Sequence, residues 1–211
     1  MIHIERVVNR IFGSNTFVIS RDGSHDIWLV DVGDTEKVAN ILPADSQMRG
    51  VFLTHTHFDH LYGINQLFEK FPDIVVYVGE TGVEALYSSK KNLSKYHEAP
   101  LEFKGKNVEP LKDGSIVELY KGILFRALSV PGHTPDSMAY LLNEQSLFTG
   151  DAYIPNTAVV SKLPGGNKIM AAQSRELLIE LSQGKDLYPG HGEIIRLGDR
   201  INKNYFNIRK M

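Results

Sequence analysis

Residues 54–60 read THTHFDH, three imidazoles and a carboxylate within six positions, directly after the apolar run Val51–Leu53. Burying such groups is costly unless something compensates them. A divalent cation is the compensation that imidazole and carboxylate donors share. His55 and His57 are two apart, and in extended backbone residues i and i+2 share a face, so both imidazoles can aim at one point. Asp59 and His60 break that parity, which requires the chain to turn and lets them face a second point close by. The spacing suits two metal ions better than one. At this chain's composition the pattern arises by chance on the order of once in a thousand such sequences.

Three more segments repeat the theme. SVPGHT (129–134) and LYPGHG (187–192) each place a histidine after an apolar strand and a Pro-Gly pair, and LFTGD (147–151) does the same for an aspartate. Proline ends a ladder and glycine permits a sharp turn, so His133, Asp151 and His191 are expected at strand exits. His3, His25 and His97 lack such a setting and are read as ordinary polar residues.

The elements that must position these groups can be read from periodicity. IHIERV, NTFVIS and DIWLVDVG read as strands, with RDGSH a turn. TEKVANIL has helical spacing and stops at Pro43. GVFLT is a short buried strand that delivers the histidines. Leu61, Ile64, Leu67, Phe68 and Phe71 then predict a helix from about Asp59 to Lys70. DIVVYVG is a further strand and ETGVEALYSSKK a second helix. Residues 91–110, with Pro100 and Pro110, read as a long loop. SIVELY to SLFTGD returns to strands, NKIMAAQSRELLIEL is a helix, KDLYPG a short strand and DRINKNYFNIRKM a closing helix. Strands followed by helices, twice over and without a linker, predict one domain of sheets flanked by helices.

Composition narrows the classes. The 211 residues are 42% hydrophobic and 23% charged, enough for a sizeable core. A net charge of −2 gives no general attraction to nucleic acid or to an anionic membrane. There is no cysteine, which removes disulfides and thiolate ligands. The opening MIHIERVVNRIFG lacks a continuous apolar core, and no stretch reaches the ≈ 18 apolar residues of a membrane span. A cytoplasmic protein acting on a small molecule is expected.

Residues 54–60 together with His133, Asp151 and His191 resemble the metallo-β-lactamase superfamily, over nearly the whole chain. The resemblance implies an α/β fold, a four-layer αββα sandwich of two mixed sheets flanked by helices, with the metals at one edge of the sheets. By position it implies that His55, His57 and His133 hold the first ion. Asp59, His60 and His191 would hold the second, and Asp151 would bridge the two. LPGG (163–166) and YPGHG (188–192) are most similar to the glyoxalase II branch, whose members hydrolyse glutathione thioesters. Three departures stand out. Tyr62-Gly63 replaces the usual glycine pair, Val160 and Lys162 stand where an arginine and an aspartate are usual, and the C-terminal helical domain of full-length members is not expected in the 20 residues after His191.

An all nitrogen and oxygen donor set admits zinc, iron or manganese, with zinc the default. Two such ions lower the pKa of a shared water to about 7 and polarise the oxygen of the group it attacks. The expected activity is hydrolysis of a small thioester, ester or lactone by that hydroxide, with Asp59 also orienting it by accepting its proton. Tyr153, Asn156 and Lys162, just beyond Asp151, are candidate substrate contacts, though packing or solvent exposure is the commoner fate of each. Lys90, Lys91, Lys95, Tyr96 and His97 form a small basic cluster that reads first as a solvated face. A β-lactamase is less expected, because many use a cysteine ligand. Two alternatives use the same residues: a small-molecule phosphodiesterase, and a persulfide dioxygenase with a single iron. A metal-binding module without turnover requires a degraded site, and no ligand is missing here.

Overall fold

A computed structural model of the chain describes residues 1–198. The expected closing helix, DRINKNYFNIRKM, lies outside the described residues. The first sheet has six strands in chain order: β1 (Ile2–Val8), β2 (Asn15–Arg21), β3 (Asp26–Val30), β4 (Gln47–Phe52), β5 (Val75–Gly79) and β6 (Val108–Leu111). β1 to β3 pair antiparallel and β3 to β6 parallel. Parallel neighbours need a crossover, and helices α1 (Thr35–Ile41) and α2 (Ile64–Lys70) supply those between β3 and β4 and between β4 and β5.

The second sheet runs β11-β10-β9-β8-β7, built from β7 (Ile116–Tyr120), β8 (Ile123–Ser129), β9 (Met138–Leu142), β10 (Ser146–Gly150) and β11 (Asp186–Pro189). Among the described residues only β10 and β11 of this sheet pair parallel, and helix α4 (Lys168–Leu181) makes that crossover. A four-residue helix, α3 (Val83–Leu86), follows β5.

Three buried clusters cement the layers. Side chains alternate along β2 to β4, so Val18, Leu29 and Val51 face Val38, Ile64 and Leu67 of α1 and α2. Their neighbours Phe17, Trp28 and Phe52 point the other way, onto Phe125, Tyr140, Phe148 and Tyr188 of the second sheet. On the far side, Ala139, Leu141, Leu147 and Leu187 meet Leu178 of α4. Helix, sheet, sheet, helix is the expected sandwich, and both sheets are mixed.

The sequence expectations shift in three places. The helix predicted from Asp59 is a 3₁₀ turn over Phe58–His60 and a second turn, and α2 starts only at Ile64. The second expected helix shrinks to a 3₁₀ turn (Glu80–Gly82) and α3. Within the expected loop 91–110, Val108–Leu111 joins the first sheet as its edge strand, where Pro110 is tolerated because an edge carries unpaired positions. Among the described residues no helix is long and apolar enough to cross a membrane.

Candidate metal centre

All seven predicted ligands sit just beyond the carboxyl ends of strands. β4 delivers His55, His57, Asp59 and His60; β8 delivers His133; β10 delivers Asp151; β11 delivers His191. The structure brings them together in three groups, His55–His57–His133, His55–His60–Asp151 and Asp59–His60–His191. Within each group one donor atom per residue lies within 4.8 Å of the others. His57 Nδ1 and His133 Nε2 face each other at 2.9 Å, and His60 Nε2 and His191 Nε2 at 3.2 Å. Asp151 spans the groups, 3.7 Å from His133 Nε2 and 3.4 Å from both His60 Nε2 and His191 Nε2. Asp59 Oδ2 lies 3.4 Å from His60 Nε2 and 3.3 Å from His191 Nε2.

These separations fit cations. Ligand atoms placed tetrahedrally at 2.0–2.1 Å from an ion stand about 3.3–3.4 Å apart. Two deeply buried atoms, His55 Nε2 and Asp151 Oδ1, have no hydrogen-bond partner among the described residues. An orphan of that kind is costly unless it has a partner the protein does not provide.

The outer nitrogens are fixed. His60 Nδ1–H donates to Asp31 at 2.8 Å, His133 Nδ1–H to the Val160 carbonyl at 2.7 Å and His191 Nδ1–H to the Phe12 carbonyl at 3.2 Å. His55 Nδ1–H donates to Thr54 Oγ1 at 3.1 Å, and that hydroxyl donates to Asp31 at 2.8 Å. Each bond leaves the Nε2 lone pair aimed at the centre. Asp31, 1% exposed with φ of 58°, lies in DVGD, outside the histidine-bearing segments. Its sequence signal is an aspartate at the exit of an apolar strand, the same position as Asp151.

Charge sorts the protonation states. Burial, reinforced by neighbouring imidazoles, drives His55 well below the usual histidine range and His57 down to about 4. Both are therefore neutral at pH 7, the form that coordinates metal. Burial raises the carboxyls of Asp59 and Asp151, but His60 and His191 outweigh it and hold both below the usual range. Burial lowers His191 while hydrogen bonds to Asp151 and Asp59 raise it further, to about 9. A cation competes with that proton.

The Pro-Gly turns have different reasons for glycine. Gly132 has φ of +136° and abuts α4, where a Cβ would lie 2.1 Å from Ala171 N. Gly190 has no such backbone; a Cβ there would meet Asp151 Oδ1 at 2.2 Å. Its glycine makes room for the carboxylate.

The candidate substrate contacts lie along the segment after Asp151 and are not among the three donor groups. The Tyr153 ring turns into the cluster under α4 and carries the Arg175 guanidinium 5.6 Å above it, because that position faces the helix. Asn156 and Lys162 are exposed and line a groove beside α4. His3 and His25 pair with Asp22 and Asp45, as ordinary surface histidines do. His97 differs from its expectation: its ring lies 4.5 Å from Phe58 and 5.6 Å from exposed Phe12. Of the surrounding cations, Lys91 pairs with Glu84 and Lys95 covers Tyr96.

A family model, the metallo-beta-lactamase superfamily, matches residues 10–191. A probable metallo-hydrolase of Streptococcus pyogenes serotype M6 is 27% identical over 98% of this chain and 90% of its own length. The atrochrysone carboxyl ACP thioesterase of Aspergillus fumigatus is 29% identical over 87% of this chain, which spans 52% of that longer protein. Among solved structures, the BLEG-1 B3 metallo-beta-lactamase has a TM-score of 0.85 at 22% identity, covering 98% of this chain and 100% of that one. That last likeness is one of fold.

Proposed function

The chain belongs to the metallo-β-lactamase superfamily, and from that premise we propose that it is a dinuclear metal-dependent hydrolase of a small thioester, ester or lactone. The observation that carries the reading is the placement of Asp151, within 4 Å of His133 on one side and of His60 and His191 on the other. A single carboxylate between two sets of imidazoles fits two adjacent cations.

In this reading His55, His57 and His133 would hold one ion and Asp59, His60 and His191 the other, with Asp151 placed between the two groups. Zinc is the default, with iron or manganese compatible with the donors. Bound there, such ions supply an acidified water as nucleophile and a Lewis acid for the oxygen of the scissile group. The protein does the rest. Asp31, Thr54 and the Val160 and Phe12 carbonyls lock the imidazoles in orientation. Asp59, ionised at neutral pH, orients the attacking water by accepting its proton. Support for an acyl substrate comes from the ACP thioesterase among the relatives.

Metal analysis of freshly purified protein, followed by a panel of thioester, lactone, β-lactam and phosphodiester substrates, tests the proposal. Turnover of thioesters, esters or lactones with two ions per chain is expected. Turnover confined to phosphodiesters, or oxygen uptake with a persulfide and one iron per chain, would overturn it.

A further inference from the structure

Beside the centre lies a groove of about 800 Å³ between residues 156–162 and one face of α4. Its walls are mostly apolar, with Val160 on one side and Ala171 and Ala172 on the other. Among the described residues three cations, Lys162, Lys168 and Arg175, line it, and no acidic residue does. Among the described residues none of the three has a carboxylate within ion-pair distance, and the Arg175 guanidinium stacks over the Tyr153 ring at 5.6 Å. Val160 leaves 52% of its surface exposed.

The groove is joined to the centre by one side chain. His133 donates from Nδ1 to the Val160 carbonyl at 2.7 Å, while its Nε2 faces His57 at 2.9 Å and Asp151 at 3.7 Å. One member of the ligand cluster is therefore bonded directly to the groove wall. Gly132, packed against Ala171, ties the same loop to the helix that forms the opposite wall.

We propose that this groove seats the non-reacting arm of the substrate: an apolar chain of several carbons that ends on an anion. Apolar walls remove the chain from water, and the cations, led by Lys162 and Lys168, receive a carboxylate or phosphate at its end. The proposal rests on the hydrolase reading for its role, and its occupancy is measurable without turnover.

Calorimetry on the metal-loaded full chain, with alkyl sulfonates as probes, makes the test; methanesulfonate reports any contact with the ions alone. Octanesulfonate is expected to bind at least tenfold more tightly than butanesulfonate, within a ceiling of about fourfold per buried methylene. It is also expected to bind several-fold more tightly than neutral octanamide. Two exposed positions probe the site without touching the core. Ala172→Trp fills the groove, and Lys168→Glu reverses a charge at a helix start that favours glutamate; each is expected to weaken octanesulfonate at least fivefold while methanesulfonate is unmoved. Octanesulfonate no tighter than methanesulfonate, or indifferent to both substitutions, would overturn the proposal even if short thioesters are hydrolysed. Chain-dependent binding without any hydrolysis would keep the groove and remove the hydrolase. For the source of the anion, two substrates are compared with a plain acyl thioester of a neutral thiol: one with a terminal carboxylate on the acyl chain, one with a phosphorylated thiol. At least one is expected to show a tenfold higher kcat/KM, and neither doing so contradicts the proposal.

Discussion

Single side chains set the aim of the donors, and Asp31 does so for two of them. It receives His60 Nδ1–H and the Thr54 hydroxyl and backbone N–H, all at 2.8 Å or less. Asp31→Ala is expected to weaken metal binding 10–100-fold, the usual cost of removing the partner of a ligating histidine. Chelator competition measures the affinity, and an unchanged affinity in a folded variant contradicts the role. Gly190→Ala tests the room left for Asp151. With a Cβ 2.2 Å from its Oδ1, the carboxylate must move, and at least a tenfold loss of metal affinity is expected. What could be read from residues alone was the dense motif, the two Pro-Gly-His turns and Asp151 at the end of LFTGD. Asp31 stayed hidden because its partners are 23 and 29 positions away.

At the scale of elements, two features carry measurable stability. Asn167 caps α4, its side chain accepting from the Ile169 and Met170 N–H groups at 3.0 and 3.1 Å. Asn167→Ala is expected to cost about 1 kcal/mol in urea unfolding. Asp34, at the start of α1, is buried, which raises its carboxyl pKa, but hydrogen bonds from Tyr62, Lys37 and Arg10 outweigh burial and hold it at about 2. A depressed pKa stabilises the fold above the unfolded value of 3.8, and the gain disappears as pH falls toward 2. Relative to Asp34→Asn, the chain is therefore expected to be more stable by about 1–2 kcal/mol at pH 6, after allowance for the exposed Arg10 and Lys37. That gap should close between about pH 4 and 2, with both proteins in the same chelator; a constant gap contradicts it.

Strand positions were legible because alternation is local, whereas helix starts were less so. The apolar spacing from Leu61 to Phe71 reads as one helix, yet Gly63 lies so close to Gly33 that a Cβ would sit 2.0 Å from its carbonyl oxygen. The turn that aims Asp59 and His60 at the centre ends there, and α2 begins after it. Likewise the segment after α3 is organised by buried Asn92, which donates to the Ala85 and Leu101 carbonyls. Contacts of that kind leave no periodic trace.

For the molecule as a whole, the sandwich brings separate strand ends to one edge and so gathers groups that repel or desolvate one another. In the proposed centre bound ions would partner His55 Nε2 and Asp151 Oδ1, which have no hydrogen-bond partner among the described residues. Chelation is expected to lower Tm and re-addition of metal to restore it, since free ion at 1,000 times Kd contributes about 4 kcal/mol; a Tm indifferent to both would count against a metal centre. The most direct measurement of the central claim is the number of ions per chain, by elemental analysis, in the natural protein and in His191→Ala. Two ions are predicted for the first and one for the second, retained by His55, His57 and His133. One ion or none in the natural protein, or two in the variant, would contradict the paired centre.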